Sequence, residues 1–126
     1  AVTRCGPVPD GELREAYAQA WVTVLPSTAE SFGMTVVESW ASGTPAVVLA
    51  DSGGPAELVD DDTVGRRAGG TPDDLARACA EAFELASRTD TAAACRARAQ
   101  AYDWDSAVVP ALLEVYSRAG RGAPSR

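Results

Sequence analysis

The chain of 126 residues contains no lysine and no histidine: its eleven basic residues are all arginine, against eighteen acidic ones, for a net charge of −7. A nucleic-acid binder needs a basic stripe to neutralise phosphates, so this composition argues against that class and no nucleic-acid partner is expected. The absence of histidine removes the usual serine or cysteine triad and histidine-rich zinc sites from consideration. Cysteine is sparse: Cys5, Cys79 and Cys95 are odd in number and have no paired metal-type spacing. Reduced thiols are therefore expected, with Cys79 as a small core residue. No apolar run approaches the length of about twenty residues that crosses a bilayer, and no signal peptide is visible. The expected location is cytoplasmic, with any membrane association left to parts of the protein outside this chain.

What the chain does have is concentrated in the stretch from Val22 to Asp51. The runs Trp21-Val22-Thr23-Val24-Leu25 and Ala46-Val47-Val48-Leu49-Ala50 are continuously apolar, apart from Thr23, rather than alternating. That suits strands covered on both faces of a parallel sheet. The connection between them is long enough for the helix that a parallel crossover requires, and such crossovers are nearly always right-handed. Both strands then deliver their carboxyl ends, Pro26-Ser27 and Asp51-Ser52-Gly53-Gly54, to one edge, where open α/β sheets bind ligands.

The loop Ser31-Phe32-Gly33-Met34-Thr35 offers amides at a helix start, where the backbone partial charge favours phosphate or sugar oxygens. Gly33 permits close approach and unusual dihedrals. Glu30 lies in the loop and Glu38 just over a helical turn beyond Gly33-Met34, a spacing that lets both carboxylates address a ligand at the helix start. Carboxylates are poor partners for phosphate and good acceptors from sugar hydroxyls. A phosphate beside hydroxylated rings describes a nucleotide sugar. The plainer reading, in which Glu30 is a solvated loop residue and Glu38 a surface helix residue, stays open on spacing alone.

Pro26-Ser27, then Glu30-Ser31-Phe32-Gly33-Met34, Glu38, Ala41, Gly43-Thr44-Pro45-Ala46-Val47 and Gly53-Gly54-Pro55-Ala56-Glu57 form an ordered series from which a resemblance follows. The series resembles the donor-binding half of retaining glycosyltransferases with two Rossmann-like domains (GT-B), and more narrowly their group 1 family, over about Cys5 to Tyr116. The resemblance implies an α/β fold: a Rossmann-like parallel sheet with helices on both faces, making up most of a carboxyl-terminal GT-B domain. Residues 1–119 would form this partial nucleotide-sugar-binding domain and 120–126 a disordered tail.

By the same resemblance, Glu38 would hold the ribose hydroxyls of the nucleotide. Glu30 would hold the hydroxyls of the transferred sugar and act as the catalytic-site carboxylate. The amides of Phe32, Gly33 and Met34, with Ser31 and Thr35 beside them, would meet the sugar and diphosphate, and Gly6, Pro7 and Val8 would lie near the nucleobase. The donor would be a UDP-, GDP- or ADP-sugar, transferred with retention of anomeric configuration, and the family usually needs neither metal nor cofactor. Family members stabilise the leaving diphosphate with an arginine and a lysine from an earlier segment, and this chain has no lysine. Their acceptor site lies on an amino-terminal domain missing here. Electrostatic stabilisation of the leaving group is usually the largest catalytic contribution, so this chain alone is expected to be inactive.

The remaining elements read in order. Val2-Thr3-Arg4-Cys5 is expected to end a strand, and Asp10 to cap a helix through Ala20 with Leu13, Ala16, Tyr17 and Ala20 on one face. Pro55 to Val59 should form a short helix. Asp60-Asp61-Asp62 is read as a solvated turn rather than a cation site, and Val64 to Ala68 as a weak edge strand. Thr71-Pro72-Asp73-Asp74 is a helix start, followed by a buried stripe of Leu75, Ala78, Cys79, Ala82, Phe83 and Ala86. A surface helix is expected over Thr91 to Ala101. Asp103-Trp104-Asp105 superficially matches the metal-binding acid pair of the other main glycosyltransferase fold, but its place before a helix running to Tyr116 fits capping better. In the resembled family, that last helix packs toward the amino-terminal domain.

Three other classes share some of these features. A receiver-like signalling domain would explain Asp51 at a strand end, but it expects a lysine that is absent. A dinucleotide oxidoreductase would need a glycine spacing that Gly53-Gly54 lacks. A non-catalytic relative that binds a nucleotide sugar without transferring it remains compatible with the sequence.

Overall fold

In the computed structural model, residues 2–121 are described, and the expectation for the tail falls from residue 122 onward outside them. The elements run α1 (Asp10–Gln19), β1 (Thr23–Leu25), α2 (Met34–Ala41), β2 (Ala46–Leu49), α3 (Gly54–Leu58), β3 (Gly65–Ala68), α4 (Pro72–Ala86), α5 (Thr91–Gln100), one π-helical turn over Trp104–Val108, and α6 (Val109–Arg121). The three strands form a parallel sheet in the order β1-β2-β3. Thr23 is in register with Ala46 and Leu25 with Val48, while Ala46 aligns with Gly65 and Leu49 with Ala68.

The central strand shows why the apolar run has no alternation. Ala46 and Val48 pack with Val36, Val37 and Trp40 of α2 and with Cys95 and Ala99 of α5. Val47, one step along, joins Ala68 and the Ala78 and Ala82 face of α4 on the other side. Three of the four β2 residues, Ala46, Val47 and Val48, are completely buried, as a strand with helices on both faces requires. This is the expected Rossmann-like α/β arrangement.

Several elements depart from expectation. β1 is an edge strand and lacks a full cover, so Val24 is 40% exposed and Trp21 before it 62% exposed. Val2–Cys5 form no strand and are exposed, since among the described residues no neighbouring strand accepts their ladder bonds. α1 is capped by Pro9 without a side-chain bond, and Asp10 is its first helical residue.

The turn before α4 behaves as read: Thr71 Oγ1 accepts from the Asp74 amide at 3.2 Å. Phe83, however, is 49% exposed, and Leu85 takes the buried position instead. The helix expected on the surface, α5, is a core element: Cys95 and Ala99 are buried with α2, and Thr91 is buried with its hydroxyl on the Leu85 carbonyl of α4. Its alanines allow that close approach, and Cys95 rather than Cys79 is the completely buried thiol. Asp103 caps the π-helical turn by accepting from the Ser106 amide at 2.8 Å, in line with the capping expectation.

The aspartate turn is more than solvated. Arg98 of α5 donates to Asp60 at 2.5 Å and also pairs with Asp61 and the Leu58 carbonyl, while its guanidinium lies 5.8 Å from the Trp40 ring centroid. This ties α5 to the loop before β3. Trp40 is itself fixed by its indole N–H, which donates to the Val64 carbonyl at 2.8 Å.

Candidate functional site

At the carboxyl edge of the sheet, the loop after β1 and the loop after β2 are strapped together. The Glu30 amide donates to the Ser52 carbonyl, and the Gly54 amide donates to the Glu30 carbonyl, each at 3.0 Å. The result is an isolated parallel bridge between Glu30 and Gly53 that extends the sheet beyond its strands. Ser52 is buried and donates its hydroxyl to the Leu49 carbonyl at 2.7 Å, which fixes the far side of the strap. A side chain at Gly53 would come within 2.8 Å of the Glu30 carbonyl oxygen, so the pairing depends on glycine there. Glu30 thus has a rigid backbone and a half-buried side chain at the edge.

Gly33 starts α2 in the left-handed region, with φ 98° and ψ 53°. It lies against Pro55 of α3, where an added Cβ would be 2.8 Å from Pro55 Cγ. The first amide of this turn with a backbone acceptor is that of Val36, which donates to the Gly33 carbonyl at 2.9 Å. Among the described residues, the amides of Phe32, Gly33, Met34 and Thr35 have no acceptor. Four such unpaired donors at a helix start are what an anionic or oxygen-rich ligand can satisfy. Phe32 is steadied from outside the loop, its ring meeting Tyr102 edge to face at 5.5 Å between centroids.

Glu38 is exposed on α2, in a hollow of 430 Å³ between α1 and α2 lined by Asp10, Leu13, Arg14, Tyr17, Ala41 and Ser42. The Tyr17 phenol donates to Glu38 Oε2 at 3.2 Å. Burial, followed by the Glu38 charge and this hydrogen bond, raises the Tyr17 pKa and keeps the phenol a donor. Gly6 (φ 68°) and Val8 lie in the segment that leads into α1, whose first residue, Asp10, lines the same hollow as Glu38. Glu30 and residues 31–35 do not line that hollow, and they occupy the adjacent strap and helix start. The structure therefore seats Glu38 with α1, and Glu30 with the β1 and β2 loops.

A buried polar network holds α1, α2, β1 and the turn before β2 together. Ser39 Oγ lies 2.8 Å from both the Thr44 carbonyl and Thr23 Oγ1. With one proton, Ser39 can donate to the carbonyl only if Thr23 donates to it in turn. Thr44 Oγ1 donates to the Tyr17 carbonyl at 2.6 Å, which anchors the end of α1. Sequence reasoning missed the roles of Tyr17 and Tyr102 because both partners are distant in the chain; Tyr17 stood out only as a member of an apolar helix face.

Comparison with known proteins agrees with this architecture. A family model described as "Glycosyl transferases group 1" matches residues 1–102. The chain is 39% identical over 116 residues to a D-inositol 3-phosphate glycosyltransferase of Streptomyces griseus, covering 90% of this chain and 24% of that protein. It is 41% identical over 123 residues to the protein of the same name from Kineococcus radiotolerans, covering 90% of this chain and 28% of that one. It is 31% identical over 119 residues to sulfoquinovosyl transferase SQD2 of Arabidopsis thaliana, covering 90% of this chain and 23% of that protein. The chain thus spans about a quarter of the length of the curated relatives it matches. With most of its residues matched by the family model and its parallel sheet bearing an amide-lined helix start at the carboxyl edge, this chain belongs to the group 1 glycosyl transferases.

Proposed function

We propose that this chain is the donor-binding part of a retaining glycosyltransferase that moves a sugar from a nucleotide sugar to an acceptor. The observation that carries the reading is the run of four unpaired amides, Phe32 to Thr35, at the start of α2, flanked by Glu30 on the strap and Glu38 on the helix. In this reading the amides receive diphosphate and sugar oxygens, Glu30 accepts from hydroxyls of the transferred sugar, and Glu38 accepts from the ribose. Gly6 and Val8 sit on the nucleobase side, in the segment leading into the hollow that holds Glu38. The names of the relatives support sugar transfer by the whole protein, with UDP-, GDP- and ADP-sugars as the donors to be tested.

Titration by NMR with UDP-, GDP- and ADP-sugars, on the wild type and on Glu38→Gln, tests the reading. A carboxylate accepting from two hydroxyls contributes about 1.5–3 kcal/mol per charged hydrogen bond, so the variant should bind at least about tenfold more weakly. Equal affinity in the two proteins would overturn the ribose role. The isolated chain, which lacks lysine, is expected to bind donor without transferring its sugar, and turnover by it alone would refute that expectation.

A further inference from the structure

We infer that Tyr17 is a positioning residue for ligand recognition: its phenol O–H orients the Glu38 carboxylate so that Oε1 stays free to accept from a nucleotide's ribose hydroxyls. The inference rests on the proposed role of Glu38. Its geometric basis is that Tyr17 is tied to the α2 unit at both ends. Its carbonyl accepts from Thr44 Oγ1 at 2.6 Å, and Thr44 is in turn held by its amide, which donates to the Ser39 carbonyl at 3.0 Å. Its hydroxyl reaches Glu38 Oε2 at 3.2 Å. Backbone and phenol are thus fixed to the same helix that carries the carboxylate.

An exposed glutamate turns about three side-chain bonds, and ordering them on binding costs free energy. A donor that already holds one oxygen removes part of that cost, the general advantage of preorganisation. A carboxylate has about four acceptor sites, so occupation of Oε2 leaves Oε1 able to meet two vicinal hydroxyls. Asp10 and Arg14 of α1 line the same hollow, and Tyr17 is the residue there whose side chain hydrogen-bonds the Glu38 carboxylate. Phenylalanine at position 17 would fill the same half-buried space and lose only the hydroxyl.

The experiment measures binding of UDP, GDP and ADP and of their 2′,3′-dideoxy counterparts to wild type, Tyr17→Phe, Glu38→Gln and the double variant. Tyr17→Phe is expected to weaken the ribonucleotide that binds by about 3–10-fold, the span of one ordinary hydrogen bond, and to leave its dideoxy counterpart unchanged. In the Glu38→Gln background it should cause no further loss. Equal weakening of both nucleotides, full additivity, or no change would overturn the positioning role, since a purely structural tyrosine cannot select for ribose hydroxyls. If Glu38→Gln itself fails to distinguish ribose from dideoxyribose, the reading of Glu38 fails, and the inference falls with it. A check without nucleotide is the 13C-tyrosine titration of Tyr17, which should move down toward its ordinary value in Glu38→Gln. An unmoved titration would show that the contact is not made in solution.

Discussion

Replacing Gly33 by alanine tests whether the start of α2 is built as described. Gly33 has φ 98°, where an L-residue is strained by about 1–2 kcal/mol. The new Cβ would also lie 2.8 Å from Pro55 Cγ and 3.3 Å from Pro55 Cβ. A proline ring cannot swing aside as a long side chain can, and overpacking of this kind costs about 1–3 kcal/mol. Together the loss is about 2–5 kcal/mol, a large part of the roughly 5–15 kcal/mol of a typical domain. With a urea slope of about 2 kcal/mol per molar, the unfolding midpoint should fall by about 1–2.5 M.

Gly6→Ala is the control. Gly6 shares the positive φ, at 68°, but an added Cβ would have no atom within 4 Å, and its segment is exposed and free to readjust. Its midpoint should stay within about 0.5 M of wild type. The measurement is urea denaturation followed by tryptophan fluorescence and far-UV circular dichroism. A Gly33→Ala midpoint no lower than that of Gly6→Ala would refute the packing of the helix start against α3.

Trp40→Phe should cost about 2–4 kcal/mol in the same assay, because it opens space in the core and leaves the Val64 carbonyl without its indole donor. The Asp61 carboxyl is held below its ordinary range, first by the Thr63 hydrogen bonds and then by Arg98. A carboxyl depressed in the folded state contributes stability that is present above its unfolded pKa, near 4, and is lost as pH falls through the folded value. Arg98→Met should therefore lower stability at pH 7 and flatten its decline below about pH 4, as read from urea midpoints across pH. A thiol reagent at pH 8 should modify exposed Cys5 first and half-buried Cys79, raised by burial, more slowly. Cys95, completely buried and pushed up to about 11 by that burial, should react only on unfolding, as peptide mass mapping would show.

The local signals in the chain were strong where chemistry and backbone coincide. Thr71-Pro72 marked a helix start because a hydroxyl cap and a proline at the first turn satisfy or remove the same orphan amides, and the structure shows that cap. The unbroken apolar run at Ala46–Leu49 marked a strand buried on both faces for an equally local reason. The same rule failed for Trp21 to Leu25, since hydrophobicity does not tell a central strand from an edge one. The alanine-rich α5 is not legible as a core helix because small residues suit a solvated surface as well as close helix packing, and only the Trp40 and Arg98 contacts distinguish the two.

Sequence by itself determined the parallel crossover, the glycine-bearing helix start and the two glutamates beside it, because each follows from periodicity, from backbone freedom or from residue type at short range. Tertiary structure decided what those glutamates stand next to. Glu30 is locked to Gly53 across the strand ends, and Glu38 meets Tyr17 from a helix 21 residues earlier in the chain. Such contacts depend on how the elements pack, and packing distance leaves no mark in the order of residues.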